Sequence, residues 1–174
     1  YNNNFDKGLE CLKAATERYG LDPRHAADFE KRRATVPGQP FPEGIVLQDR
    51  EGNVVDFSTF RGKYVYIDMW ASLCVPCLRE VPELQKLEKT LKNKKVEFVS
   101  ISIDANQDAW KKKMDEKNMH GNQLWNPGST LGTALNVKGI PFFAIYDPEG
   151  KLYMHGAPRP SQGQGLVELL EGLR

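Results

Sequence analysis

The chain has 174 residues, 40% of them hydrophobic and 27% charged, which suits one soluble-type globular domain with room for a flanking element. Its 24 basic and 23 acidic residues leave a formal charge of +1, which excludes the strong basic or acidic bias of nucleic-acid or anionic-membrane binders. No apolar run approaches the roughly 20 residues needed to span a bilayer, and three cysteines are too few for a disulfide scaffold or a four-thiolate zinc site.

The chain begins at Tyr1 without an apolar leader, so the expectation is a processed or trimmed product. Residues 1–37 read as a helical extension. Phe5, Leu9, Leu12, Ala15 and Tyr19 recur near a helical period, Gly20 supplies a stop, and a second short helix is expected from Pro23 to Lys31. Cys11 in the first helix reads as a half-buried apolar residue. Three prolines and two glycines argue against regular structure from Val36 to Gly44, and residues 38–174 are expected to form the main domain.

Ile45 to Phe57 reads as a hairpin around the polar turn Asp49-Arg-Glu-Gly-Asn53. The run Lys63-Tyr-Val-Tyr-Ile-Asp-Met69 suits a central strand covered on both faces. It feeds Trp70-Ala-Ser-Leu-Cys-Val-Pro-Cys77 and a helix to about Asn93. Then follow a strand (Val96 to Ile103), a helix (Ala105 to Lys117), a short strand (Asn122 to Trp125) and a short helix (Ser129 to Asn136). A hairpin of Pro141–Tyr146 and Lys151–His155 and a helix from Gln162 to Leu173 close the chain. The alternation predicts an α/β three-layer sandwich on a mixed central sheet, with parallel strands in the centre and an antiparallel pair at one edge.

The chemistry concentrates at the strand-to-helix turn. Cys74 is expected at the first helical position, where free N–H groups and the positive helix end favour a thiolate. Cys77, one turn on, can reach disulfide distance and resolve a mixed disulfide. Pro76 suits a first helical turn, and neither it nor Val75 adds a positive charge, which predicts a moderately reducing couple. By itself a C-x-x-C also fits half a zinc site, but no second pair exists and His25, His120 and His155 are scattered, so no metal and no cofactor beyond the cysteine couple is expected.

Two carboxylates have rival readings. Asp68 inside its apolar run is either a buried proton exchanger or a cap for the following turn. Glu80 falls inside the stripe Val81, Leu84, Leu87 and Leu91, one turn past Cys77, so its carboxylate is expected to face the thiols as an acid/base or to snorkel to the surface. Glu88 also projects near that stripe, further from the sulfurs. Pro82 is expected to kink the helix, Trp110 and Trp125 to be core, and Lys111 to Lys113 to be a solvated face.

The segment Asp68-Met-Trp-Ala-Ser-Leu-Cys-Val-Pro-Cys77 resembles the active-site segment of thioredoxin-fold proteins, and Gly139-Ile-Pro-Phe-Phe143 resembles their cis-proline loop. Pro40-Phe-Pro-Glu-Gly-Ile-Val-Leu47, Arg61-Gly-Lys63 and Cys77-Leu-Arg-Glu-Val-Pro82 are similar to the extracytoplasmic TlpA/ResA-like branch. The resemblance spans about Gly38 to the C-terminus. It implies a thiol–disulfide oxidoreductase, a reductase of protein disulfides fed by an upstream dithiol donor, monomeric and extracytoplasmic. It implies Cys74, Cys77, Glu80 and Asp68 as catalytic residues, and Trp70, Val75, Pro76, Ile140 and Pro141 as the substrate-facing set, with a cis bond before Pro141. Leu73 departs from the family, which usually has Trp there. A thiol peroxidase and a redox-inactive binding module of a larger surface protein remain as alternatives.

Overall fold

The computed structural model describes residues 2–91 and 95–173. Five strands form one sheet: β1 (Tyr64–Trp70), β2 (Val96–Ser102), β3 (Asn122–Trp125), β4 (Phe142–Tyr146) and β5 (Leu152–His155), in the order β3-β2-β1-β4-β5. β1, β2 and β3 run parallel, and β4 and β5 are antiparallel to their neighbours. Among the described residues six α-helices accompany them: α1 (Asn2–Tyr19), α2 (Arg24–Lys31), α3 (Val75–Thr90), α4 (Gln107–Glu116), α5 (Thr130–Ala134) and α6 (Gln164–Glu171). The expected end of the third helix at Asn93 lies outside the described residues.

The sheet is the middle of three layers. On one face Val65, Ile67 and Met69 of β1 pack with Val99, Ile101, Ala144 and Tyr146 under Leu131 and Leu135 of the α5 region and under Leu47 and Phe57. On the other face Tyr64 and Tyr66 meet Leu84 and Leu87 of α3 and Leu166 and Leu170 of α6. Trp70 continues that face against Cys77, Val81 and the α4 residues Trp110 and Met114. The period of two along β1 therefore assigns each residue to a layer.

The predicted hairpin over Ile45–Phe57 is not a regular one. Gln48 makes a single bridge to Val54 and another to Trp125 of β3, and residues 57–60 form a 3₁₀ turn capped by Asp56, whose carboxylate accepts from the Ser58 N–H. Both backbone groups of Gln48 bond Trp125, while the pairing with Val54 is made by its neighbours: the Val55 N–H donates to Leu47 O and the Asp49 N–H to Asn53 O, each at 2.9 Å. The Val36–Gly44 stretch is irregular, as its prolines and glycines require, but it covers the other edge. The Gly38 N–H donates to Leu152 O, the Leu152 N–H donates to Gln39 O, and Pro40 bridges Lys151. Both sheet edges are thus closed by segments upstream of β1, which guards them against edge-to-edge pairing.

α1 and α2 pack on each other through Phe5 and Phe29, stacked with centroids 4.6 Å apart, and Arg33, in the turn just past α2, pairs with Asp6 of α1 at 2.8 Å. Leu9 is buried, but Tyr19 is 68% exposed and Cys11 is exposed rather than half-buried. The reason is that α2 covers only one flank of α1. α3 runs through Pro82 as one element.

Candidate active site

β1 ends at Trp70 and the chain turns over Ala71–Leu73 into α3. Cys74 is the residue just before the first helical position, not the first helical residue itself: its backbone is extended (φ −81°, ψ 91°) and its Sγ accepts from the Cys77 N–H at 3.2 Å. This is the N-cap geometry in which a side-chain acceptor satisfies one of the free N–H groups of the first turn. Val75 and Pro76 occupy the first two helical positions, where a missing proline N–H costs nothing. Cys74 and Cys77 are joined by a disulfide with Cα atoms 5.2 Å apart.

The two sulfurs differ in access. Cys74 is half-buried, whereas Cys77 is only 3% exposed, packed among Trp70, Val81, Trp110 and Met119. Around Cys74 the surface is apolar: Leu73 is 91% exposed, Val75 57%, and Pro76 is exposed. Ile140 and Pro141 are half-buried, their shared peptide bond is cis, and Ile140 packs against the cluster that holds both cysteines. Trp70 is the exception in the expected substrate-facing set. It is 1% exposed, so it packs behind Cys77 and cannot meet a partner; the period of two turns it into the α3 layer.

The face of β1 that carries Trp70 also carries buried polar groups. Asp68, between Tyr66 and Trp70, is 4% exposed and accepts from Ser100 Oγ on the paired strand, at a long 3.4 Å. Burial pushes its carboxyl up to about 7; the Ser100 hydroxyl opposes this, and the charges of Glu80 and Glu88 add to it. Burial, with help from Glu97, also pushes half-buried Glu88 up to about 7. The Tyr66 hydroxyl donates to Pro158 O at 2.6 Å, and burial raises its proton affinity.

Glu80 is buried as expected, but both its oxygens are engaged away from the cysteines. Oε2 accepts from the Ser161 N–H at 2.9 Å and Oε1 from Ser161 Oγ at 2.8 Å, so the carboxylate ties α3 to the turn preceding α6. Helix period located the side chain correctly; its partner comes from a segment that no local pattern connects to it.

Sequence reading missed a second buried aspartate. Asp104, just past β2, accepts from the Ser72 N–H (2.9 and 3.0 Å), from Ser72 Oγ (2.6 Å) and from Ser102 Oγ (2.7 Å). The turn after β1 is therefore held by Asp104, and the reading of Asp68 as its cap fails. The recurrence of Ser before Cys74 and Ser-x-Asp at the end of β2 was the available signal. Among the described residues no group of His, Cys, Asp and Glu is arranged to hold a metal ion.

A strand-to-helix turn carrying a half-exposed cysteine, a buried cysteine behind it and a cis-proline loop alongside, on a sheet of this order, defines a thiol–disulfide oxidoreductase of thioredoxin fold. Residues 36–162 match the redoxin family. The chain belongs to that family, on its TlpA/ResA-like side. It is 26% identical over 124 residues to the thiol-disulfide oxidoreductase ResA of Bacillus cereus, covering 71% of each chain. To ResA of Bacillus subtilis it is 25% identical over 126 residues, 72% of this chain and 70% of that one. Among solved structures, the thioredoxin domain of a thiol-disulfide oxidoreductase from Bacteroides vulgatus aligns with a TM-score of 0.67 and 28% identity, over 78% of this chain and 96% of the other. A thiol:disulfide interchange protein from Bacteroides sp. aligns with a TM-score of 0.69 and 26% identity, over 81% and 94%. Among the described residues no helix is long and apolar enough to cross a membrane.

Proposed function

We propose that this oxidoreductase is a monomeric, extracytoplasmic reductase of protein disulfides, fed by an upstream dithiol donor, with residues 38–174 as the catalytic unit and residues 1–37 as an appendage. The observation that carries the reading is the asymmetry of the couple: Cys74 capping α3 at the surface, Cys77 buried behind it. In the dithiol form the Cys77 N–H and the helix end favour Cys74 as thiolate. That thiolate attacks one sulfur of a substrate disulfide. A mixed disulfide forms, and the other substrate sulfur leaves as thiolate and takes a proton from solvent. Cys77 then loses its proton and attacks Cys74 Sγ, which forms the Cys74–Cys77 disulfide and releases the second substrate thiol. The donor dithiol returns two electrons and two protons.

Asp68 is the proton acceptor for Cys77 in this scheme, since a buried carboxyl with proton affinity near 7 exchanges at neutral pH. Glu80 acts mainly through Asp68, as the neighbouring negative charge that raises it, and as the anchor of the Ser161 turn. Leu73, Val75, Pro76, Ile140 and Pro141 form the apolar rim that receives the substrate chain.

Reduction of insulin with dithiothreitol as donor tests this. The wild-type chain should accelerate precipitation of the freed insulin chains, Cys74→Ser should abolish the acceleration, and Cys77→Ser should accumulate a mixed disulfide. A wild-type rate no higher than that of Cys74→Ser removes the enzyme reading and leaves a redox-inactive module. Turnover of hydrogen peroxide faster than of insulin would favour a peroxidase.

A further inference from the structure

The carboxylate of Asp104 has no part in the proton transfers above, yet it is 9% exposed and held by neutral donors from two segments. Burying a carboxylate is costly unless hydrogen bonds replace its water. Here those bonds connect the ends of two adjacent parallel strands. Trp70 pairs with Ser102 in the sheet, and the Ile103 N–H donates to Trp70 O at 2.9 Å. Two residues beyond each paired position, Ser72 meets Asp104. The backbone of Asp104 is fixed in turn, because its carbonyl accepts from Trp125 Nε1 at 2.7 Å and its N–H donates to Ser102 Oγ at 3.0 Å. The turn that Ser72 belongs to closes directly on the nucleophile: the Cys74 N–H donates to Ala71 O at 3.0 Å.

We infer that Asp104 is a positioning residue of the redox site, acting through Ser72 to hold the Ala71–Leu73 turn so that Cys74 caps α3. The inference rests on the oxidoreductase reading of Cys74 and Cys77. Ser72 is 5% exposed and Leu73 is 91% exposed, so the clamp grips the turn from inside while its outer residue stays free to face a partner. Without the clamp the turn relaxes and Cys74 Sγ drifts from the Cys77 N–H. The Cys74 thiolate then loses stabilisation, which disfavours the reduced couple.

The test equilibrates the full chain with glutathione buffers and titrates the Cys74 thiolate by its ultraviolet absorbance, for Asp104→Ala, Asp104→Asn and Ser72→Ala. Both Asp104 variants remove the same charge, but only Asn keeps an acceptor for the Ser72 N–H. Asp104→Ala should shift the glutathione equilibrium about tenfold toward the disulfide, which is ~30 mV for a two-electron couple, and raise the Cys74 titration midpoint. Asp104→Asn should return most of both shifts. Ser72→Ala, which leaves the charge in place, should shift both a few-fold in the same direction, and it carries the test if Asp104→Ala does not fold. Equal shifts in Asp104→Ala and Asp104→Asn would show that the retained acceptor does not matter and overturn the inference; equal shifts toward the dithiol, with a lower midpoint, would assign the effect to the lost negative charge and overturn it too. So would a lower melting temperature with both redox readouts within twofold of wild type. Neither readout uses a protein substrate, so a wild-type chain that equilibrates with glutathione but fails to reduce insulin would count against the proposed function alone.

Discussion

Strand β1 shows two different faces to the layers that cover it. Toward α5 it presents Val65, Ile67 and Met69, each at most 1% exposed and wholly apolar. Toward α3, α4 and α6 it presents Tyr66, Asp68 and Trp70, also buried but each carrying a polar atom. The first face offers dispersion and exclusion of water, with nothing that titrates near neutrality. The second offers a hydroxyl bound to Pro158 O, a carboxyl pushed up to about 7 and the ring that backs Cys77. A strand with period two can therefore divide stability and chemistry between its faces within seven residues.

The largest expected effect tests the apolar side. Ile67 is 0% exposed and central to its cluster, so Ile67→Ala should cost about 2–5 kcal/mol of unfolding free energy, read by urea titration. Its glutathione equilibrium should stay within twofold of wild type. A tenfold redox shift in this variant would break the division of labour between the faces.

Much of this division is visible in the sequence, because it depends on local periods. The run Tyr64–Trp70, the strand-turn-helix placement of Cys74 and Cys77, and the inward side of Glu80 follow from alternation and helix period alone. The features that escaped are those decided by partners remote in the chain. Glu80 binds Ser161, and Ser72 binds Asp104, across separations that no short-range pattern encodes. The expected hairpin is kept only as a single antiparallel bridge at Val54, and Gln48 also pairs with Trp125 of β3, a partner remote in the chain. The one-residue offset at Cys74 has a different origin: an acceptor side chain before a helix satisfies free N–H groups better from the cap position than from the first turn.

Asp68→Asn carries the next largest effect, and its sign follows from linkage. Asp68 sits near 7 in the folded protein against 3.8 for an unperturbed aspartate, so the folded state holds a proton through that interval that the unfolded state has released. Its contribution to stability is fully present below the lower value and is lost as pH rises through the upper one. Asn cannot ionise. The stability of Asp68→Asn relative to wild type, both in the disulfide form, should therefore grow by about 2–3 kcal/mol between pH 5 and pH 8. At pH 8 its turnover with insulin should lie about a hundredfold below wild type, because the resolving step has no base, and the gap should close toward pH 5, where the wild-type carboxyl is itself protonated. A relative stability that is flat with pH would show that the polar face does not hold a proton near neutrality.

The smallest effect concerns the rim of the polar face. Ser161→Ala removes the 2.8 Å bond from Ser161 Oγ to Glu80 Oε1 and keeps the 2.9 Å bond from its N–H to Oε2. The charge of Glu80 stays beside Asp68, so the proton affinity that Asp68 needs is preserved while the turn before α6 loses half its tether. Unfolding free energy should fall by about 1 kcal/mol, with turnover within twofold of wild type at neutral pH. A turnover loss beyond tenfold with that same small stability change would instead make the Ser161 hydroxyl and Glu80 part of the proton path. The polar face would then extend from β1 across α3 to the turn before α6, and Glu80 would regain the acid/base role that its place on the helix first suggested.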